Sequence, residues 1–210
     1  YMPHKSYGQY ISYMFATPTT RTWHDLYHAG KLNTAQGRFW ETKPAEELYD
    51  LQVDPDEVNN LAESKKHAAI LQRLRTAQQA KAVAIRDIGF LPEGEIHSRA
   101  GDLAPYDMGH NPKLYVMEPI MAAAEQASSL KPEDAPALIE LLSHQDSAVR
   151  YWAAMGLLMR GEKAVVQGQG ALRKALGDKS TAVACTAAEA LGRYGKGKDV
   201  ALAVETLIQY

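Results

Sequence analysis

Two histidines at helical spacing, His24 and His28, are the first residues whose types and positions suggest chemistry. Residues four apart lie on one face of an α-helix, so both rings could reach one metal ion, as in the zinc-protease pattern H-E-x-x-H. Asp25 stands where that pattern has its catalytic Glu, and its side chain is one methylene shorter for activating a water molecule. No obvious third ligand follows, so the sequence favours two partly exposed helix histidines over a zinc site.

Four aromatic residues fall within and after the same predicted helix: Trp23, Tyr27, Phe39 and Trp40. They could form a platform for a sugar ring, but aromatic residues at helical spacing more often pack into an amphipathic core, and packing is what we predict. The single cysteine, Cys185, excludes an internal disulfide and any cysteine-based metal cage.

The elements that must position these side chains change along the first half of the chain. Partial alternation over residues 9–15 predicts an extended segment, and residues 46–51 alternate like a half-buried strand. Asp54-Pro55-Asp56-Glu57 predicts a turn with proline second, and Asn59-Asn60 predicts a helix start. From Lys66 to Ile88 the apolar residues follow one helical stripe, which predicts a long helix.

Residues 118–210 are predicted to be almost entirely helical and contain an internal repeat. Leu138–Gly161 matches Leu172–Gly195 at a spacing of 34 residues. Each copy reads as a helix, a polar turn and an Ala-rich second helix, a unit that buries its apolar face against the next. Asp146-Ser147-Ala148-Val149-Arg150 resembles the D-x-x-V-R pattern of HEAT repeats, although the second copy lacks both the Asp and the Arg.

The stretch Glu47–Ala62 resembles the C-terminal signature of the sulfatase family, roughly E-L-Y-D-L-x-x-D-P-x-E-x-x-N-L-A. It reads E-L-Y-D-L-Q-V-D-P-D-E-V-N-N-L-A and so keeps nearly every element. Upstream, residues 1–20 resemble the strand and loop that precede this signature in bacterial sulfatases. The resemblance covers residues 1–90 and implies a small C-terminal subdomain that packs beside a catalytic α/β domain.

Together these patterns predict a mainly α chain of the α+β class in three parts. Residues 1–88 finish the sulfatase subdomain and contain a small antiparallel β element. Residues 89–117 form a loop-rich connector, because proline and glycine interrupt them every few positions. Residues 118–210 form the HEAT-like α-α repeat array. The opening Tyr1-Met2-Pro3-His4 is what we expect of a piece of a longer protein.

The sulfatase resemblance implies hydrolysis of a sulfate ester or sulfamate, usually on a carbohydrate. It also implies a formylglycine, made from Cys or Ser in a C/S-x-P-S-R motif, and a calcium ion held by acidic residues. This chain has no such motif, so we expect it to hold neither a catalytic residue nor a metal ligand. Its expected partner is the catalytic domain of the same protein.

His4 and Lys5 follow a strand region that, in some members of the resembled family, faces the substrate cleft. An imidazole or ammonium group there could bind a sulfate or a sugar hydroxyl, so we predict these two as substrate-binding residues. The alternative is that both are solvent-exposed and bind nothing.

The composition limits the other partners. The formal net charge is −2, and no apolar stretch approaches the roughly 20 residues that span a bilayer, so neither nucleic acid nor a membrane is expected. Family resemblance implies a periplasmic or extracellular location. The alternative function is a protein-interaction module that uses the repeats.

Overall fold

All the regular secondary structure of the chain is helical, and the computed structural model describes all of residues 1–210. The α-helices are α1 (Ser12–Ala16), α2 (Pro18–His28), α3 (Thr34–Gly37), α4 (Ala68–Ile85), α5 (Glu93–Ala100), α6 (Pro105–Gly109), α7 (Met117–Ser128), α8 (Ala135–Leu141), α9 (Ser147–Met159), α10 (Glu162–Gln167), α11 (Gln169–Ala175), α12 (Thr181–Tyr194) and α13 (Lys198–Gln209). Short 3-10 helices cover Arg38–Trp40, Lys65–His67, Ile88–Phe90 and Pro132–Asp134. Two compact units divide the chain within α4: Met2–Arg75, and Thr76–Tyr210 with Tyr1.

The predicted antiparallel β element is absent. The structure contains no strand, and its one β-bridge is an isolated pair between Ser6 and Thr42. In the segment 9–15, predicted to be extended, the chain instead turns into α1 at Ser12. The α+β prediction is therefore wrong, and the chain is all-α.

The predicted strand 46–51 fails for a local reason, which is the side chain of Asn60. Its Oδ1 accepts from the Leu48 N–H at 3.0 Å, and its Nδ2 donates to the Glu46 carbonyl at 3.0 Å. These are the backbone groups that a neighbouring strand would pair. Because one amide side chain satisfies them, this segment needs no strand partner.

The repeats predicted from the sequence lie in the unit Thr76–Tyr210. α8 and α9 form the first copy, and α11 and α12 form the second. The equivalent residues Leu138 and Leu172 are both fully buried. A Cβ added at Gly156 of α9 would lie only 2.8 Å from Leu138 Cδ1, so the small residue there permits the close approach of α8 and α9.

The second helix of each copy begins at a side-chain cap. Asp146 accepts from the Ala148 N–H at 2.8 Å, and Ser180 accepts from the Val183 N–H at 3.4 Å. Such caps satisfy N–H groups that the first helical turn leaves unpaired. The second copy therefore keeps its helix start with a serine, although it lacks the Asp of the D-x-x-V-R pattern.

Arginine–carboxylate pairs join successive repeat turns. Arg150 of α9 donates to both carboxylate oxygens of Asp178, at 2.7 Å each. Arg99 of α5 donates to both oxygens of Asp146, at 3.0 and 2.6 Å. Arg99 of α5 thus contacts the first copy in the same bidentate way that Arg150 of the first copy contacts Asp178. The row of pairs therefore continues from the repeats to α5, on their N-terminal side.

Glu95, one turn before Arg99 on α5, contacts both copies. Its carboxylate accepts from the hydroxyls of Ser147 at 2.6 Å and Ser180 at 2.5 Å, and from Arg99 Nε at 3.1 Å. The Glu95 side chain is only 9% exposed, so these donors replace the water that its charge has lost. One short helix therefore holds the starts of both α9 and α12.

Acid is expected to weaken these pairs. Burial of Asp146 and Asp178 opposes their ionisation, but hydrogen bonds from Arg99 and Arg150 outweigh it and hold the pKa of each carboxyl below its ordinary 3.8. A carboxyl with a lowered folded-state pKa stabilises the fold above its unfolded pKa and loses that contribution as pH falls through the folded pKa. Urea unfolding at a series of pH values should show stability falling below about pH 4. In Arg150→Met, the loss of stability on acidification should be smaller, because Asp178 no longer has its cation. An identical pH profile in this variant would show that the pair with Arg150 does not lower the pKa of Asp178.

Candidate functional site

A cleft in the unit Met2–Arg75 contains the histidine pair singled out from the sequence. Its volume is about 540 Å³, within the usual range for small-molecule sites. One wall comes from α2 and consists of Arg21, His24, Asp25, Tyr27 and His28. The rest of the lining comes from the residues before α2 and from the 3-10 helix after α3, and consists of Ser6, Gly8, Tyr10, Phe15 and Trp40.

The four aromatic residues predicted to pack divide into two pairs. Trp23 and Phe39 stack on each other, with ring centroids 4.7 Å apart and an interplanar angle of 18°. Gly8 is needed beside them, because a Cβ there would overlap the Phe39 ring. Trp40 and Tyr27 line the cleft. Packing therefore accounts for Trp23 and Phe39, while the other two also form part of the cleft wall.

His24 and His28 are hydrogen-bonded to each other. Their Nε2 atoms are 2.9 Å apart, so one ring donates and the other accepts through an unprotonated nitrogen. The half-buried His24 ring contacts Phe15 and Trp40 edge to face, at centroid distances of 5.2 and 5.0 Å, whereas His28 is exposed. The cleft thus presents a pair of imidazoles, of which the His24 ring is held by aromatic contacts.

The other polar groups of the cleft are balanced in charge. Arg21 and Asp25 contribute one positive and one negative side chain. The Tyr27 hydroxyl donates to Glu41 Oε1 at 2.8 Å, and this hydrogen bond to a carboxylate raises the pKa of Tyr27. Tyr27 therefore stays protonated at neutral pH, and because its one O–H is donated to Glu41, its hydroxyl can only accept a further hydrogen bond.

The predicted substrate-binding residues His4 and Lys5 lie outside this cleft. They belong to a turn in which the Lys5 N–H donates to the Met2 carbonyl at 3.2 Å. The Lys43 N–H donates to the Pro3 carbonyl at 2.9 Å and holds the same turn. Both residues are half-buried, and the structure does not bring them together with the histidine pair.

The segment that resembles the sulfatase signature folds as a loop held by its own side chains. The Glu57 N–H donates to the Asp54 carbonyl at 3.1 Å, which confirms the predicted turn. The buried Asp54 carboxylate accepts from the N–H groups of Val58 at 3.1 Å and Asn59 at 2.8 Å. The predicted helix start at Asn59-Asn60 is wrong, because these hydrogen bonds close a loop and α4 begins only at Ala68.

Asn60 closes the same loop from the other side, a role that sequence reasoning missed. Besides its contacts to Leu48 and Glu46, its Oδ1 accepts from the Ala62 N–H at 3.0 Å. The Leu61 N–H donates to the Leu48 carbonyl at 2.7 Å, so the two ends of the segment lie side by side. The sequence signal for this role is Asn60 itself, which stands where the signature has a fixed Asn. The sequence pattern instead predicts a helix start at that residue.

Asn60→Ala is expected to destabilise the loop by about 1–3 kcal/mol, because it leaves three partly buried backbone groups without their partner. Asn59→Ala is the matched control, since the Asn59 side chain is exposed and should change stability by less than about 0.5 kcal/mol. Urea unfolding followed by tryptophan fluorescence measures both, because all three tryptophans are probes and two lie in this unit. Equal stabilities of the two variants would show that the amide does not hold the loop.

The residues of this chain do not fit the catalytic equipment that the sulfatase resemblance implies. No group of three or more His, Cys, Asp or Glu is placed to hold a metal ion. Cys185 lies in α12 and is followed by Thr-Ala-Ala rather than by x-Pro-Ser-Arg. None of the helices is both long and apolar enough to cross a membrane.

Comparison with known proteins gives two partial matches. Residues 135–209, which contain α8 to α13, match the model of the HEAT repeat family. An ulvan-active sulfatase of Formosa agariphila is 37% identical over 97 residues, a match that covers 46% of this chain and 16% of that protein. No solved structure matches. The repeats predicted from the sequence thus match the HEAT repeat family, and part of the chain is similar to part of a protein named as a sulfatase.

Proposed function

We propose that this chain is the C-terminal part of a sulfatase, and that the whole protein hydrolyses sulfate esters or sulfamates on a carbohydrate. The observation that carries the proposal is the 37% identity to the ulvan-active sulfatase. The self-closed loop around Asp54 and Asn60 supports it, because its geometry gives a physical role to the residues that resemble the family signature.

In this proposal the chain itself is not catalytic. A formylglycine and a calcium ion, both carried by the preceding catalytic domain, supply the nucleophile and the positive charge that binds the sulfate. The unit Met2–Arg75 contributes an edge of the substrate cleft, where His4 and Lys5 contact the substrate. The protein works in the periplasm or outside the cell.

The test uses the whole protein encoded by the gene, with inorganic sulfate release from sulfated polysaccharides as the readout. We expect the whole protein to release sulfate and the 210-residue chain to release none. His4→Ala should raise KM or lower kcat on the natural substrate, with Lys113→Ala as a matched surface control. A reading frame without C/S-x-P-S-R, or a whole protein that releases no sulfate, would overturn the enzyme proposal; normal kinetics of His4→Ala would remove only that residue.

A protein-binding role for the repeats is the second candidate, favoured by an apolar stripe on α13. Val200, Val204, Leu207 and Ile208 recur at helical spacing and are between 40% and 79% exposed. An exposed apolar stripe on one helix suits packing against another amphipathic helix, and we propose that of a second copy of the chain. Sedimentation should show association that increases with concentration and is lost in Leu207→Glu. A monomer at all concentrations would exclude it.

A further inference from the structure

The histidine pair on α2 has a geometry that the sulfatase proposal does not use. The Nε2 atoms of His24 and His28 are 2.9 Å apart, and their ring centroids are 4.3 Å apart. The two nitrogens are therefore close enough for one ion to bond to both in place of the hydrogen bond between them. His28 is exposed and the pair lines an open cleft, so a solute can reach the two nitrogens.

The separation of the two nitrogens selects among metal ions. An ion bonded to both at about 2.0–2.1 Å would subtend an angle of roughly 90°. A tetrahedral zinc ion prefers a wider angle and would need the nitrogens to be roughly 3.3 Å apart. A right angle is the cis angle of square-planar or tetragonal coordination, which copper(II) and nickel(II) adopt with nitrogen and oxygen ligands. Copper(II) also stands highest in the affinity order of the divalent ions.

The surroundings allow such an ion without a large electrostatic penalty. Arg21 repels a cation, but Asp25 lies in the same cleft and balances it. The Phe15 and Trp40 rings restrain His24, so less ring freedom is lost when the ion binds. The ring that now donates through Nε2 must carry its proton on Nδ1 when the ion binds, so binding requires a change of tautomer.

We propose that His24 and His28 form a cis chelate for copper(II) at the mouth of this cleft. Water or an oxygen ligand fills the remaining coordination positions. The site uses only residues of the unit Met2–Arg75 and holds whether or not the whole protein is a sulfatase.

The test is a titration of the 210-residue chain with copper(II)–iminodiacetate, followed by electron paramagnetic resonance. Iminodiacetate occupies three positions of a tetragonal ion and leaves a cis site for the two imidazoles. We expect one complex per chain, with a spectrum that shows two further nitrogen ligands. His28→Ala should bind roughly a hundredfold more weakly, since it removes one arm of the chelate.

Two controls separate the pair from histidine content alone. His97→Ala removes an exposed histidine that has no second histidine four residues away, and it should leave the affinity unchanged. The double variant His28→Ala/Ala29→His keeps the number of histidines but turns the second ring off the shared face, and it should bind as weakly as His28→Ala. Circular dichroism verifies that each variant is folded. Copper binding to His28→Ala or to the double variant that is as tight as to the wild type would overturn the site.

Discussion

Arg99→Met is expected to lower the free energy of unfolding by about 3–5 kcal/mol, the cost of removing one partner from a buried ion pair. The Arg99 side chain is 13% exposed and touches two carboxylates that are also sheltered, Glu95 at 9% and Asp146 at 19%. Methionine keeps most of the length and apolar contact of the arginine but leaves both negative charges without their cation. The loss should appear in the unit Thr76–Tyr210, where these residues hold the starts of α9 and α12.

Urea unfolding followed by far-ultraviolet circular dichroism measures this loss. Arg193→Met is the control, because Arg193 forms a single pair with Glu189 at 2.8 Å and is 54% exposed, so it should cost less than about 0.5 kcal/mol. Adding Asp146→Asn to Arg99→Met should recover part of the stability, since it removes one of the unpaired charges. A loss in Arg99→Met as small as that of the control would mean that the pairs do not hold the array.

Trp152→Ala is expected to be equally damaging, at about 3–5 kcal/mol. The indole is 3% exposed, and its Nε1–H donates to the Phe90 carbonyl at 2.7 Å. Alanine would leave a cavity and an unsatisfied buried carbonyl. Trp152→Phe fills part of the cavity but still loses the hydrogen bond, so it should cost roughly 1–3 kcal/mol.

The same unfolding measurement checks the Trp152 series, with Tyr106→Ala as the control. Tyr106 is 71% exposed, so its removal should alter stability by no more than about 0.5 kcal/mol. We expect the free energy of unfolding to be lowest for Trp152→Ala, intermediate for Trp152→Phe and highest for the wild type. If Trp152→Phe were as stable as the wild type, the hydrogen bond to Phe90 would contribute nothing.

Much of the repeat region could be predicted from the sequence because its determinants are local and periodic. The equivalence of Leu138 and Leu172 follows from spacing alone, and both are buried. The tie between Arg99 and Asp146 could not be predicted, since it joins residues 47 apart in two elements whose relative position only packing decides. The sequence therefore revealed the repeats but not the helix that holds them.

In the unit Met2–Arg75, a local sequence pattern led to a wrong prediction. Alternating residues around Leu48 indicated a strand, but an alternating pattern specifies a strand only if a partner strand is available. Here the side chain of Asn60 competes successfully for the same backbone groups. In the cleft, the helical spacing placed His24 and His28 together, whereas Phe15 and Trp40 reach them from segments whose path the spacing does not determine.

The double contact of Glu95 has a mechanical consequence for the array. Because one carboxylate binds Ser147 and Ser180 at once, bending the second repeat away from the first would break a hydrogen bond. The curvature between these two repeats is therefore fixed, and this end of the solenoid is stiff. The last helix has a tie of its own, since the fully buried Asp199 of α13 accepts from both Arg173 and Gln169 of α11. Resistance to bending is therefore carried along the array from one carboxylate to the next.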